Sequence, residues 1–138
     1  VYVVIENLTL LKASSGSNVK SESVINTNEI AIDASSGASI KIEVIAKNVE
    51  TKTSSGSGIS IKGTTINHTA SASSGSSIDA FTLKGDHANA SASSGASINI
   101  YASKNMEGKA TSGADIAFKG NPAAINKETS SGGSISMN

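Results

Sequence analysis

Side chains able to do chemistry are few in this sequence, and their spacing argues against most of the chemistry they could do. The carboxylates include four aspartates, Asp33, Asp79, Asp86 and Asp115. Clustered carboxylates would serve calcium binding or acid–base hydrolysis of a glycosidic bond. Aligned on the internal repeat described below, no two aspartates fall in the same column of adjacent repeats. A lyase would also need a basic residue to abstract a proton, and the chain has no arginine. His68 and His87 stand one repeat apart, a start for a metal site, yet only Asp86 is near enough in sequence to be a third ligand. His68 also shares its column with Ile30, Val49, Ala88 and Met106, so a packed histidine is expected. Serines abound, but none has the Gly-x-Ser-x-Gly spacing of a nucleophile elbow. No catalytic residue, metal ligand or cofactor site is therefore expected.

One column does suggest binding. Six residues after the glycine of each repeat stand Glu22, Glu43, Lys62, Phe81, Tyr101, Lys119 and Asn138. If strand alternation holds, these side chains point outward, with Phe81 and Tyr101 on consecutive repeats between Lys62 and Lys119. An exposed aromatic pair can seat a sugar ring or a partner side chain. These four residues form the candidate binding site, and the expected partner is a surface glycan or a protein.

The element that positions them is a phrase of Ser-Ser-Gly, or Thr-Ser-Gly at 111–113, followed three residues after the glycine by Val or Ile. Its glycines are Gly16, Gly37, Gly56, Gly75, Gly95, Gly113 and Gly132, at steps of 21, 19, 19, 20, 18 and 19 residues. A fixed period of this size marks a repeat architecture. The third position after glycine holds Val19, Ile40, Ile59, Ile78, Ile98, Ile116 and Ile135, all apolar. Two further on come Ser21, Ile42, Ile61, Ala80, Ile100, Phe118 and Met137, and the position between is mostly polar. Alternation of period two predicts a strand with one buried face. Before the glycine, the small residues Ala13, Ala34, Thr53, Ala72, Ala92, Ala110 and Thr129 line a second strand.

Each repeat thus reads as strand, Ser-Ser-Gly corner, strand and variable return. Glycine suits the corner because it reaches positive φ without a Cβ clash, and the adjacent serines are expected to satisfy backbone groups left unpaired there. Stacking buries the apolar faces. The expected fold is all-β, a right-handed parallel β-helix of about seven coils of 18–21 residues, with the hand set by the bias of parallel crossovers. Six steps at the strand spacing give a rod of roughly 29 Å. One domain over 1–138 is expected, with residues 1–12 a lead-in coil and 13–138 the seven repeats. Leucine-rich repeats would need a leucine ladder and an Asn position, and left-handed hexapeptide helices a six-residue subrepeat; neither is found.

Composition narrows the function further. Eleven Lys balance eleven Asp plus Glu to a net charge of zero, without the basic stripe and arginines of a nucleic-acid binder. The absence of cysteine removes disulfides, thiol nucleophiles and thiolate metal sites. No apolar run approaches a membrane span, so no direct membrane insertion is expected. A Thr-x-Thr array of the ice-binding kind is confined to Thr51-Lys52-Thr53. Strand edges near Val1 and Asn138 predict self-association or capping by a further segment.

The phrase Ala-Ser-Ser-Gly-Ala-Ser-Ile at 34–40 and 92–98 resembles the bacterial family of putative auto-transporter adhesins with a head GIN domain, found as putative cell adhesion proteins in the Bacteroides group. So does the stretch Ala114-Asp115-Ile116-Ala117-Phe118-Lys119-Gly120-Asn121-Pro122 with the later Ser130-Ser131-Gly132-Gly133-Ser134. The resemblance covers nearly the whole chain and implies a right-handed β-helix. It also implies export to the periplasm or cell surface, with lipoprotein anchoring through a segment preceding Val1. The strand-rich N-terminal half common in the family is not found in this sequence. The resemblance carries no catalytic residue. The leading expectation is a non-enzymatic adhesion module; the alternative is a carbohydrate-processing β-helix enzyme of the lyase or hydrolase type.

Overall fold

The structure is a computed structural model that describes residues 2–3, 10–21 and 24–137. The strands are β1 (Tyr2–Val3), β2 (Leu10–Ala13), β3 (Asn18–Ser21), β4 (Ile25–Asn26), β5 (Glu29–Ala34), β6 (Ser39–Ile45) and β7 (Asn48–Thr53). They continue as β8 (Gly58–Ala72), β9 (Ser77–Ala92), β10 (Ser97–Tyr101), β11 (Asn105–Ala110), β12 (Asp115–Lys119), β13 (Ala124–Thr129) and β14 (Ser134–Met137). Every pairing is parallel and joins one coil to the next. The chain is an all-β parallel solenoid of about six turns. Seven corners bound six complete turns, which is why the seven copies of the phrase make one turn fewer than a count of copies suggests. No helix occurs among the described residues, so none there is long and apolar enough to cross a membrane. Most of the lead-in expected at 1–12, and Glu22 and Asn138 of the outward column, lie outside the described residues.

Two walls meet at each corner. One follows the glycines and the other precedes them, and both bury alternate residues. Register stacks Val19, Ile40, Ile59, Ile78, Ile98, Ile116 and Ile135 in one inward line. Ile40 to Ile116 are at most 2% exposed. The facing wall contributes Ala34, Thr53, Ala72, Ala92 and Ala110, all buried. Branched side chains on one wall and methyl groups on the other fill the core together.

The corner itself is a tight turn repeated seven times. The second Ser of each phrase has φ between 51 and 55° and the following Gly between 72 and 82°. Two consecutive residues at positive φ, closed by an i→i+3 bond such as Ser76 N to Ser73 O at 3.2 Å, make a type I′ turn. A Cβ on the corner glycine would meet nothing within 4 Å, so glycine is there for its backbone conformation and not for space. Each corner glycine from Gly16 to Gly113 donates its N–H to the serine carbonyl of the next coil, as Gly75 does to Ser94 at 3.1 Å. The corner ladder is thereby sealed in backbone.

The role expected for the Ser-Ser-Gly hydroxyls falls elsewhere. Those side chains point to solvent and make no side-chain hydrogen bond among the described residues. The residue after the glycine does the work: the buried Ser76 hydroxyl donates to Ser73 O at 2.6 Å and accepts from Ser73 N at 3.0 Å. Ser57 does the same at Ser54 and also lies 2.7 Å from Ala34 O. Alanine takes this place in other coils, so a small side chain fits there with or without a hydroxyl.

Candidate functional site

The aromatic column sits on the wall that follows the corners. Ser60 pairs with Asp79, but Lys62 pairs with Thr82, so β9 carries one extra residue between them. This β-bulge is why Gly75 and Gly95 are twenty residues apart. Ala80 and Leu83 stay buried, and Phe81 and Thr82 fall on the outer side between them. Bulges re-aim side chains in this way. Phe81 is delivered, partly exposed, to the same side as Tyr101 on the next coil.

Lysines complete the patch, though not the pair expected to flank the rings. Lys119, directly opposite Tyr101 in register, places its Nζ 4.6 Å from the centroid of the Phe81 ring. The ammonium over the Tyr101 ring, at 4.2 Å, belongs to Lys84. Thr82, not Phe81, stands opposite Lys62, whose Nζ lies 3.8 Å from Glu43 Oε1 on the preceding coil. Lys84 escaped the column reading because the bulge shifts its register and the next coil is shorter. The offset between coils is twenty residues at Asp79–Asn99 and eighteen at His87–Asn105. Rings and ammonium groups at these distances attract through the ring quadrupole. The patch therefore holds one ammonium over each of two rings.

The histidines do not converge. His68 points inward and is 1% exposed, its Nε2 3.1 Å from the buried Thr51 hydroxyl and its Nδ1 without a partner. Burial lowers its pKa from 6.5 to about 4. His87 aligns with Asn67 and not with His68; its Nδ1 lies 2.7 Å from Asn105 Nδ2 on the outer surface. Among the described residues no three His, Asp or Glu side chains gather as a metal site would require. The aspartates remain apart: Asp33 stands opposite Lys52, Asp79 opposite Asn99 and Asp115 opposite Ser97, and Asp86 pairs with Lys104 at 3.6 Å.

The other wall carries a surface that the column reading passed over. Its first outward column runs Glu29, Asn48, Asn67, His87, Asn105, and its second Ala31, Glu50, Thr69, Asn89, Glu107, Asn126. Two hollows lie between them along the rod, one from Glu29 to Thr69 and one from Asn67 to Asn126, and they meet at Asn67 and Thr69 to make a groove.

The family model for "Putative auto-transporter adhesin, head GIN domain" matches residues 1–122. The chain belongs to this family. The match ends at Pro122, so the trailing Ser-Gly-Gly-Ser lies past it. No curated protein matches the chain. Among solved structures, the chain is similar to a putative adhesin from Bacteroides fragilis, with a TM-score of 0.82 and 16% identity. That likeness covers 88% of this chain and 56% of the other. It is also similar to a putative lipid binding protein from Parabacteroides distasonis, with a TM-score of 0.80 and 18% identity, over 95% of this chain and 62% of the other. At these identities the likeness is one of fold. The chain spans roughly three-fifths of the length of these two relatives.

Proposed function

We propose that this chain is an exported, non-enzymatic adhesion module acting at the periplasm or cell surface. Its ligand is a carboxylate-bearing partner, an acidic glycan first, bound on the wall patch of Phe81, Tyr101, Lys84 and Lys119, with Lys62 at its margin. The family supports adhesion and export. The residues come from one observation: two partly exposed rings on consecutive coils, each with an ammonium 4.2 or 4.6 Å from its centroid.

The chemistry follows from that pairing. A ring face offers flat apolar area to the C–H face of a sugar at low entropic cost. The ammonium groups, already oriented by the rings, accept a carboxylate without having to be collected from solution. The role proposed for the site is binding and release.

The test is a glycan array carrying uronic-acid and sialic-acid sugars, read for the parent, for Phe81→Ala/Tyr101→Ala and for Lys84→Gln/Lys119→Gln. Parent binding lost in both double variants, with unchanged circular dichroism, is the expected result. Equal binding by all three proteins overturns the site.

A further inference from the structure

The groove on the opposite wall differs from its surroundings in what its rims leave out. Lysines are spread over the rest of the molecule, yet neither rim carries one. Lys52 and Lys109 stand one column further out. Between the ends, the rims offer amide, hydroxyl, imidazole and carboxylate groups, and no Phe or Tyr lines them. The floor is strand backbone. Five coil steps along the groove correspond to about 24 Å at the spacing of parallel strands.

One rim is already ordered. Asn67 Nδ2 donates to Asn48 Oδ1 at 2.9 Å, and Asn48 Nδ2 to Glu29 Oε1 at 3.5 Å. Asn105 Nδ2 donates to His87 Nδ1 at 2.7 Å. These bonds run along the rod and brace the rim in two segments, Glu29–Asn48–Asn67 and His87–Asn105. They also leave a particular set of groups unused. Asn67 keeps Oδ1 as an acceptor, and an imidazole accepting at Nδ1 carries its proton on Nε2 as a donor. Across the groove, Thr69, Asn89 and Glu107 make no side-chain hydrogen bond among the described residues, whereas Glu50 is tied to Lys52 at 3.3 Å.

We propose that this groove binds a linear, uncharged polysaccharide lying along the rod axis. The ligand class follows from the rims. Amide, imidazole and hydroxyl groups suited to sugar hydroxyls stand on successive coils at Asn48, Asn67, Thr69, His87, Asn89 and Asn105. The rim carboxylates Glu29 and Glu107 disfavour an acidic chain by repulsion, whereas Glu50 is balanced by Lys52. Because the rim is braced before the ligand arrives, little side-chain entropy is lost on binding. An extended peptide would use backbone amides at a sheet edge, but the strands under the groove are paired on both sides from β7 to β11.

The site is separate from the aromatic patch, so the two readings fail independently. The experiment is a 15N-edited NMR titration of the whole chain with uncharged linear hexasaccharides of glucose, mannose and galactose, each beside its disaccharide. Binding by at least one hexasaccharide is expected, tighter than its disaccharide, with shifts centred on Asn67, Thr69, His87, Asn89 and Glu107. Asn67→Ala/Asn89→Ala should weaken it at least tenfold, and Phe81→Ala/Tyr101→Ala should leave it unchanged. No hexasaccharide shifting these residues at millimolar concentration overturns the proposal. So does binding that the Asn67/Asn89 variant retains in full, or binding of an extended peptide at the same residues in place of every sugar.

Discussion

His68 holds a neutral imidazole in a column otherwise filled by Ile30, Val49, Ala88 and Met106, and that placement gives the protein a defined acid sensitivity. Its folded pKa is lowered to about 4 because burial penalises the charged ring, whereas an unfolded histidine titrates near 6.5. Between these values the unfolded chain binds the extra proton, so stability is whole above about pH 6.5 and falls as the pH drops. The loss levels off below pH 4 at about 3 kcal/mol. Replacing the hydrogen-bonded pair together, Thr51→Val/His68→Val, strands no polar group and follows the precedent of Val49. The urea midpoint of parent and variant should keep a constant difference above pH 7 and diverge in the variant's favour between pH 6.5 and 4. Carboxylates titrate in both proteins, so their effect cancels in the comparison; a parallel pair of curves would show that His68 is not buried neutral. The isoleucine column gives a second prediction at this scale. Ile78 is 1% exposed between Ile59 and Ile98, and Ile78→Asp would strand a charge there with no partner, at a cost of several kcal/mol. A melting temperature within a degree or two of the parent would refute the register.

The corner turns raise a question of backbone and not of contacts. Ser74 at φ 55° pays for a left-handed conformation that asparagine adopts more readily, while Gly75 at φ 72° occupies one that alanine resists. Thermal melts should therefore show Ser74→Asn neutral or slightly stabilising, and Gly75→Ala destabilising by about 1 kcal/mol. Gly63 should be less forgiving: its φ is 126°, and an added Cβ would collide with the Val44 carbonyl. If Gly63→Ala costs no more than Gly75→Ala, close approach of the coils at that bend is not what selects glycine. The same elements show why some of the site was legible in the sequence and some was not. The walls were readable because burial imposes period two, and a column such as Ile40-Ile59-Ile78 can be aligned by counting from glycine. The left-handed serines were not, since no side-chain contact distinguishes Ser74 from Ser73 on the page. Lys84 was hidden for a different reason. Counting from Gly75 assumes one residue per position, and the bulge before Thr82 breaks that count; the twenty-residue step was its only trace. The rims of the axial groove mix Asn with Glu, Thr, His and Ala, so no uniform column marks them, and pattern alone does not show that Asn48 and Asn67 are joined to each other.

At the scale of the whole molecule, the strands at the two ends of the described stack differ from the rest in having a neighbour on one side only. Coils in the middle are covered above and below, whereas β13 pairs only with β11 and β14 only with β12. The inward positions of β13 hold Ile125, Lys127 and Thr129, all exposed. Lys127, in a column that holds Ile32, Thr51, Ala70, Ala90 and Gly108 on other coils, gives this end of the described stack a polar cap. Lys127 extends this by placing its Nζ 5.4 Å from the ring of Phe118, covering the end of the core with a solvated ammonium. The cap is incomplete: Ile125 is 46% and Met137 60% exposed, and the strand edges beside them carry unpaired donors and acceptors. A parallel edge with flanking apolar side chains is a template for another strand. We predict that the 138-residue polypeptide, produced as such, associates through this end. Light scattering on a dilution series should show an average mass above that of the monomer at high protein concentration, falling on dilution. Ile125→Lys/Met137→Lys should hold it monomeric without lowering the melting temperature, because both side chains lie outside the buried core. Wild type that stays monomeric at millimolar concentration would mean that Lys127 and Thr129 already suffice as a cap, and association that survives both lysines would place the contact elsewhere on the rod.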